Sequence, residues 1–489
     1  MGSSVVGGAS SAAKSLYVQK FTTEGPNTFT LPSGYGASNP LVCEVTLVGG
    51  GGGAGGTSYN TTTGEFAWAG GGGGGAVKQE IISLTADATA WVGGGGLGGG
   101  GSYSTAKTSI AHSCHGGFGE ASWFGTSSTG PANMWINPQF TTTKTSTPNT
   151  LDIGIPIMYF VGQNTNSYPP AVQGGVVVKN TTSYNYPSTN AFRVYPSKTY
   201  TFSIYARVDS TTVTMGVQNK EYNADGGLIT TGTSSTASVT TSWTRLTKTF
   251  TPNASTKYVE FYFDCGSGYI YLSNPQLEIG SSATTYKDGT SSGYTSYGST
   301  IGNVTWLATD NVVVANGGGG GAGDDLGYLT SNPTAIKQGF PGASSGGGSV
   351  KSVAYSALGG SGGGAGGNAM TSFPTQSGAT APTGIVDRQT PGVVDYGKGT
   401  SGIVYYQSNA QYTDGTPGIG INGWGKGGLG AQNVGTFYDG RIIPTTDTQA
   451  MSIRNSGHGG DAQYQNYTAS ATVQGRNGSS GLVIVKYWA

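Results

Sequence analysis

Charge and cysteine are both scarce in this sequence, and each shortage removes a class of protein from consideration. Charged residues make up only 9% of the chain, and 23 Lys and Arg are balanced by 23 Asp and Glu. A neutral chain without a basic run lacks the electrostatic signature of nucleic-acid binding, so nucleic acid is not an expected partner. The three cysteines are far apart and odd in number, which excludes a disulfide framework. Stability must therefore come from packing, hydrogen bonding and association between copies.

Histidine is equally rare, and the few acidic residues are spread out, so no catalytic constellation can be assembled. Three histidines leave no Ser/His/Asp triad to argue for. Asp324 and Asp325 are adjacent, and neighbouring side chains on an extended chain point to opposite sides. His112, Cys114 and His115 lie close together but lack the second pair of ligands of a structural zinc site. Two alternatives stay open for them, a polar loop or a threefold metal site in a trimer. We expect a protein that is not an enzyme.

Long apolar runs are also missing. No window approaches the roughly 20 apolar residues of a membrane-spanning helix. Residues 1–15 contain only Val5 and Val6 as adjacent bulky apolar residues, and so lack the core of a signal peptide. We therefore expect no membrane insertion and synthesis in the cytoplasm of the producing cell.

Glycine, in contrast, is abundant: there are 89 glycines, and they are clustered. The runs include 49–53, 70–75, 93–96, 98–101, 317–321, 346–348 and 362–364. Two interpretations remain open for these runs. One is a packed bundle of extended helices with three residues per turn, which satisfy each other's backbone groups laterally. The other is a set of flexible linkers.

Between and beyond the glycine runs, short β-branched and aromatic stretches alternate like strands. The last of them, Leu482–Trp488, is apolar enough to need burial, and its natural place is beside the N-terminal strands. The chain contains no long glycine run between about 126 and 288, which indicates an inserted domain. We predict four parts, listed here in chain order: an N-terminal linker at 1–15, a glycine-rich domain at 16–125, an inserted domain at 126–289, and the second part of the glycine-rich domain at 290–489 with the closing strand.

The inserted domain contains strand-like runs of six to ten residues at regular spacing, which predicts a jelly-roll β-sandwich. The predicted fold class is therefore all-β, with a β-sandwich scaffold, a glycine-rich body of the polyglycine II type and an inserted jelly roll. Aromatic residues within the strand patterns are expected in the core; they are Tyr200, Phe202, Tyr205, Trp243, Phe261 and Phe263.

The glycine-rich part resembles the glycine-rich domain of bacteriophage minor tail proteins and tail-fibre adhesins. The resemblance rests on four stretches: 27–32 (NTFTLP), 45–53 (VTLVGGGGG), 91–94 (WVGG) and 481–487 (GLVIVKY). It implies a location in the virion, at the tail tip, and a homo-oligomeric assembly, with a trimer favoured.

The inserted part is similar to carbohydrate-binding-module-like jelly rolls of phage structural proteins, on the stretches 133–137 (NMWIN), 200–205 (YTFSIY), 243–247 (WTRLT) and 274–280 (NPQLEIG). Such modules hold sugars on flat aromatic faces, and this resemblance selects tyrosines in predicted loops as binding residues: Tyr159, Tyr168, Tyr184, Tyr186 and Tyr222. It also implies a structural calcium ion, for which Asp264 and Glu278 supply hard oxygen ligands.

The glycine-rich part carries aromatic residues between its runs. The proposed receptor-loop set is Tyr59, Trp68, Tyr328, Tyr405, Tyr406 and Trp424. Loops held by a rigid scaffold often carry function, and tyrosine provides contact area at low entropic cost. The alternative is that these rings stack on the glycine faces and hold the bundle together.

Together these patterns predict a structural and host-recognition protein of a phage tail tip. Its expected partners are other tail proteins and a host cell-wall or surface glycan. The alternative is a purely architectural tail component whose jelly roll binds other virion proteins. A glycan-cleaving enzyme would need two carboxylates flanking a cleft, and the sparse acidic residues argue against it.

Overall fold

The fold is given by a computed structural model, which describes the following residues: 15–60, 65–100, 115–127, 130–135, 160–163, 176–180, 189–209, 212–264, 268–288, 290–299, 302–321, 323, 336–337, 349–352, 457–460 and 471–489. This part of the chain contains strands and extended segments but no α-helix, which confirms the all-β prediction. It therefore also contains no helix long and apolar enough to cross a membrane.

The strands of the described residues, in chain order, are β1 (Leu16–Phe21), β2 (Gly25–Phe29), β3 (Leu41–Val48), β4 (Thr57–Asn60), β5 (Glu65–Trp68), β6 (Val77–Leu84), β7 (Ala88–Val92), β8 (Ser122–Thr126), β9 (Phe160–Gln163), β10 (Val176–Asn180), β11 (Phe192–Arg193), β12 (Tyr200–Val208), β13 (Val213–Tyr222), β14 (Leu228–Thr231), β15 (Ser235–Val239), β16 (Thr244–Phe250), β17 (Tyr258–Asp264), β18 (Gly268–Ile279), β19 (Tyr294–Ser299), β20 (Gly302–Leu307), β21 (Asn311–Ala315), β22 (Ile336–Lys337), β23 (Ser349–Ser352), β24 (Ala471–Val473) and β25 (Leu482–Trp488).

A small β-sandwich is built from strands at both ends of the chain. One sheet has the order β1-β25-β3-β6, and the other has the order β2-β7-β8-β21. The terminal strand β25 lies between β1 and β3, which confirms the predicted closing strand. Side chains that alternate inward from both sheets form one core, among them Phe29, Val45, Phe124 and Val485. The sandwich also contains β8 and β21 from the middle of the chain, in addition to the terminal strands that were predicted to lie together.

Six of the eight sandwich strands are joined directly to glycine segments, three at the end of the strand and three at its start. Strands β3, β7 and β21 lead into residues 49–55, 93–99 and 317–321. Strands β6, β8 and β25 follow residues 70–76, 116–120 and 475–481. A seventh segment, residues 457–460, completes the set. The bundle of glycine segments is therefore a direct extension of the sandwich.

Segment 49–55 occupies the centre of this bundle. Its successive N–H groups donate to three neighbouring segments in turn, so each neighbour receives a hydrogen bond from every third residue. Gly49, Gly52 and Gly55 donate to segment 70–76, at N–O distances of 2.9, 2.8 and 2.9 Å. Gly50 and Gly53 donate to segment 116–120, each at 2.9 Å. The remaining N–H groups, of residues 51 and 54, donate to segment 475–481. A three-residue period is the hallmark of the polyproline II type of helix.

The central carbonyls reach three other neighbours, so segment 49–55 is surrounded on six sides. They accept from segments 317–321, 93–99 and 457–460. The six outer segments also bond to one another in a closed ring, in the order 70–76, 317–321, 116–120, 93–99, 475–481 and 457–460. The outer segments alternate in direction around the ring, so that each pair of ring neighbours is antiparallel. Packed helices of the polyglycine II type are thus confirmed for these seven segments, and the linker alternative is wrong for them.

Two bulky apolar residues of the outer segments, Leu97 and Phe118, face the inserted domain. Leu97 packs with Tyr222 and Tyr258, and Phe118 joins the core of the jelly roll beside Phe192. Glycine at most of the other positions lets the backbones approach, while these two side chains attach the bundle to its neighbour.

The inserted domain is a jelly-roll-like sandwich of two five-stranded sheets. One sheet has the order β16-β12-β18-β10-β9; the other has the order β11-β17-β13-β14, with β15 also paired to β13. Their facing side chains include Phe202, Ile204, Phe261 and Leu272, each fully buried. The hydroxyl of Tyr258 donates to the carbonyl of Gly95 at 3.0 Å, which fixes this domain to the glycine bundle.

Another sheet lies at the bundle end away from the sandwich, in the order β22-β23-β5-β4-β24. Strands β4 and β5 connect segments 49–55 and 70–76, while β24 precedes segment 475–481. The bundle therefore carries strands at both ends.

Candidate functional site

The outer face of the sheet containing β16, β12 and β18 combines aromatic rings with cationic side chains. Along β12 the residues 202, 204, 206 and 208 point into the core, while Tyr205 and Arg207 lie partly exposed on the other side. In the strand register Tyr205 lies opposite Arg245, and Arg207 lies opposite Tyr271. Trp243 precedes β16 and is also partly exposed. These five side chains, Tyr205, Arg207, Trp243, Arg245 and Tyr271, are called the aromatic–arginine face below.

Each guanidinium of this face lies over aromatic rings. The guanidinium carbon of Arg207 is 4.4 Å from the ring centroid of Tyr271 and 5.5 Å from that of Trp243. The guanidinium carbon of Arg245 is 5.6 Å from the ring centroid of Tyr205. Cation–π contact at such distances is attractive and restricts both partners. The rings are therefore held in place before any ligand arrives, which lowers the entropic cost of binding.

A bulge in β18 and the segment that follows this strand limit the face at one end. The pairing of β12 with β18 shifts register between Ser203 and Tyr205, where Asn274 adopts a positive φ of 52°. Asparagine tolerates this backbone region better than most residues. Beyond the bulge, Thr284 hydrogen-bonds to Glu278 through its backbone N–H at 2.9 Å and covers that end of the sheet. The open part of the face is thus confined to the end with Arg207 and Trp243.

Four of the five tyrosines predicted to bind sugar, Tyr159, Tyr168, Tyr184 and Tyr186, lie outside the described residues. In the chain they adjoin β9 and β10, which belong to the same sheet as the aromatic–arginine face. They stay predictions.

The fifth, Tyr222, is removed from the set by its burial. Its side chain is fully buried, and its hydroxyl donates to a carboxylate oxygen of Glu260 at 3.2 Å. A ring with no exposed face has no surface to offer a sugar. The expectation is wrong because Tyr222 ends β13 inside the domain, where it packs with Leu97 of the bundle.

Of the six aromatic residues predicted to lie in the core, four are buried there and two are not. Tyr200, Phe202, Phe261 and Phe263 are fully buried, as expected. Tyr205 and Trp243 are only partly buried and stand on the outer face, so that assignment is wrong for them. A sheet in a sandwich has one face in the core and one outside, and aromatic residues occur on both faces of this one.

The two acids expected to bind calcium, Asp264 and Glu278, lie in different sheets. Asp264 ends β17 and is exposed, whereas Glu278 lies buried in β18. Hydrogen bonds from Gln276 and Thr284 occupy the Glu278 carboxylate. No group of three or more potential metal-ligating side chains occurs among the described residues. Asp264 and Glu278 therefore do not lie together in one sheet, and the calcium ion stays a prediction.

The histidine and cysteine group is described only at His115. Its side chain is 3% exposed, and its Nδ1 accepts a hydrogen bond from the Gly323 N–H at 3.0 Å. His112 and Cys114 lie outside the described residues, so neither alternative for the group is decided.

Of the proposed receptor-loop aromatics, Tyr59 and Trp68 occupy strands rather than loops. They lie in β4 and β5, in the sheet at the far end of the bundle. Tyr328, Tyr405, Tyr406 and Trp424 lie outside the described residues and stay predictions.

A small cavity lies where the jelly roll meets the bundle. It is a cavity of about 50 Å³, lined mainly by apolar side chains such as Trp91 and Phe192 together with Glu120 and Arg193. Ligand pockets typically measure about 300–1,000 Å³, while a water molecule needs about 10–15 Å³ by this kind of measure. The cavity therefore suits a few water molecules and not a sugar.

The polar groups beside this cavity connect the domains. Glu120 of the bundle accepts hydrogen bonds from the Tyr195 hydroxyl and, at 3.1 Å, from the Gly94 N–H. Arg193 of the jelly roll pairs with Glu24 and lies against Gly94. Burial raises the pKa of Glu120 to about 7, although the hydrogen bond from Tyr195 and the charge of Arg193 act in the opposite direction. This cluster joins the two domains.

Sequence comparisons identify the inserted part. Residues 174–275 match a family model described as a carbohydrate binding domain, and this stretch contains all five residues of the aromatic–arginine face. Among curated proteins, none matches the chain. The family that this region resembles is a binding family.

Solved structures of carbohydrate-binding modules are among the matches in three dimensions. A xylan-binding domain from Paenibacillus barcinonensis is 13% identical, covers 26% of this chain and 83% of its own, and has a TM-score of 0.22. A family 22 carbohydrate binding module from Clostridium thermocellum is 11% identical, covers 32% of this chain and 99% of its own, and has a TM-score of 0.24.

The enzymatically active domain of tailspike protein 4 from bacteriophage CBA120 is also among the matches. It is 12% identical, covers 32% of this chain and 21% of its own, and has a TM-score of 0.21. Scores at this level carry no weight for function.

Proposed function

We propose that this protein binds a host cell-surface glycan through the aromatic–arginine face, as a non-enzymatic structural and host-recognition protein of a phage tail tip. The single observation that carries the glycan part is the face itself. Three partly exposed rings, of Tyr205, Trp243 and Tyr271, lie on one flat sheet surface and are held by two arginines. Aromatic rings with a polar margin are the common way to hold an amphipathic ligand such as a sugar.

The glycine-rich body supports the tail-tip part of the proposal, through its resemblance to phage minor tail proteins and tail-fibre adhesins. A bundle with lateral hydrogen bonds in every direction is a rigid spacer that holds a binding domain away from its attachment point. In the proposed virion, other tail proteins contact the chain and a homotrimer multiplies weak single-site contacts. The division into parts at 1–15, 16–125, 126–289 and 290–489 belongs to the same proposal.

One observation favours a second candidate, an architectural role without glycan binding. The jelly roll is fixed to the bundle by direct hydrogen bonds, for example from the Asn190 side chain to the Gly116 carbonyl at 3.1 Å. A rigid attachment also suits a domain that only contacts other virion proteins.

Replacing Trp243 by alanine separates these candidates. We expect the full-length Trp243→Ala variant to lose at least about fivefold in affinity for the polysaccharide that the wild type retains, because a stacked aromatic anchor is worth roughly 1–3 kcal/mol. Affinity electrophoresis against a panel of neutral and acidic polysaccharides measures the change.

Trp488→Ala is the matched control, because Trp488 is 58% exposed on the sandwich, outside the jelly roll. It should leave binding unchanged. Equal binding by Trp243→Ala and the wild type, or no binding of any polysaccharide by the wild type, would support the architectural role instead.

A further inference from the structure

The two arginines of the aromatic–arginine face lie close together on the sheet. Arg245 pairs with Tyr205 in the strand register, so it sits diagonally to Arg207 on the same side of the sheet. Diagonal neighbours on adjacent strands are about 7–8 Å apart, within reach of both long side chains. Two positive charges thus converge on one small area.

No carboxylate of the described residues forms an ion pair with either arginine. The ion pairs in this part of the chain join Lys78 to Glu80, Arg193 to Glu24 and Lys486 to Glu44. The Arg245 Nη2 donates to the hydroxyl of Ser203 at 2.8 Å, which is a neutral partner.

One acid lies near the end of the face. Asp209 is exposed, and it accepts the hydrogen bond of the Tyr271 hydroxyl. Counting this carboxylate, the described part of the face keeps an excess of one positive charge. Asp209 also holds the Tyr271 ring that lies under Arg207, so it orients the face as well as reducing its charge.

Arg193 offers a comparison, because it is an arginine with a purely structural role. Its guanidinium is almost completely buried, pairs with Glu24 and lies near the carboxylate of Glu120. Arg207 and Arg245, in contrast, are partly exposed beside aromatic rings. Stacking on rings accounts for their position, but it does not neutralise their charge.

We propose that the aromatic–arginine face selects acidic glycans, whose sugar rings stack on Trp243, Tyr205 and Tyr271 while a carboxylate or phosphate group meets Arg207 and Arg245. The proposal rests on the glycan-binding function proposed above. The guanidinium fork matches the planar geometry of a carboxylate and the oxygens of a phosphate, and hydrogen bonds between charged groups are about twice as strong as neutral ones.

The test compares polygalacturonate with its fully methyl-esterified form, because esterification removes the charge and keeps the sugar backbone. Poly(glycerol phosphate) represents phosphate as the source of the charge, and xylan is a neutral reference. Titrations use the full-length chain at low and high salt. We expect the acidic form to bind at least about fivefold more tightly than the ester, with an advantage that shrinks as salt screens the charges.

Arg207→Gln and Arg245→Gln should each weaken binding of the preferred acidic polymer by about tenfold, and binding of the methyl ester by clearly less. Both polymers lose the ordering of the rings, but only the acidic polymer also loses a charged partner. Lys20→Gln is the matched control, since Lys20 is an exposed cation on β1, outside the jelly roll. It removes the same charge and should change neither affinity. Thermal unfolding checks that all three variants fold.

The outcomes distinguish this proposal from the one on which it rests. Equal affinity for polygalacturonate and its ester, unaffected by the arginine variants, overturns the acidic preference and leaves glycan binding in place. If Lys20→Gln weakens binding of the acidic polymer as much as the arginine variants do, the attraction is a general electrostatic one, and the proposed acidic preference of this face is also overturned. Failure to bind any polymer of the panel overturns both proposals.

Discussion

Replacing Gly51 by alanine is expected to destabilise the protein by about 5 kcal/mol or more, which places it among the most damaging single substitutions. Gly51 lies in the central glycine segment, where its N–H donates to Ser479 at 2.9 Å and its carbonyl accepts from Gly96 at 2.8 Å. An added Cβ would lie well within 3.0 Å of the carbonyl of His458. Because that carbonyl belongs to a hydrogen-bonded backbone on the other side of the contact, no flexible side chain can move away.

Thermal unfolding and the soluble yield of the purified full-length chain measure this effect. We expect Gly51→Ala to melt at least about 10 °C below the wild type or to accumulate as insoluble protein. Gly36→Ala is the matched control, because no atom lies within 4 Å of the Cβ that it would add. If both variants melted within about 2 °C of the wild type, the bundle would not be packed as described.

Stability should also fall as the pH rises from about 4.5 to about 7, through the buried Glu120. The carboxyl has a pKa of about 7 in the folded protein, against an ordinary value of 4.5, because burial penalises its charged form. The folded state therefore holds this proton more tightly than the unfolded state does. The protonated carboxyl contributes its full stabilisation below the pKa of the unfolded state, and this stabilisation is lost as the pH rises to the pKa of the folded state. The loss amounts to about 3 kcal/mol in total, because each unit of pKa difference corresponds to about 1.4 kcal/mol.

The charged and titratable groups facing Glu120 are Arg193, Tyr195, Tyr200, Tyr258 and Glu24. All of them are retained in Glu120→Gln, which cannot ionise. Denaturant titrations at pH 5 and pH 8 should show that the stability advantage of the wild type over this variant decreases with rising pH. Other carboxyl groups titrate in both proteins and cancel in the difference. A difference independent of pH would show that Glu120 is already ionised at pH 5.

The sandwich and bundle could be predicted because their causes are local to the sequence. The apolar run at 482–488 needed burial, and it pairs with β1 and β3. Glycine runs joined directly to strands favoured packed helices over linkers, and the three-residue hydrogen-bond period of segment 49–55 confirms that choice. The bundle's closed ring of six could not be predicted, because it depends on which distant runs become neighbours.

The candidate site shows what the sequence leaves undetermined. Tyr205 lies among apolar residues in a strand pattern, and only the register reveals that it shares the outer face with Arg207 and Arg245. Alternation identifies two faces without saying which one is covered. The sequence did contain a usable signal. Arg207 and Arg245 occupy strand positions that alternate with core residues, and long cationic side chains seldom point into a core.

Hydrogen–deuterium exchange on the full-length chain, with and without the polysaccharide that it binds most tightly, tests the central claim most directly. We predict slower exchange in residues 201–209 and 243–249, which carry four of the five residues of the aromatic–arginine face, and no change in 213–222 and 258–264 of the opposite sheet. Protection confined to the opposite sheet, or to the strands at the far end of the glycine bundle, would contradict it.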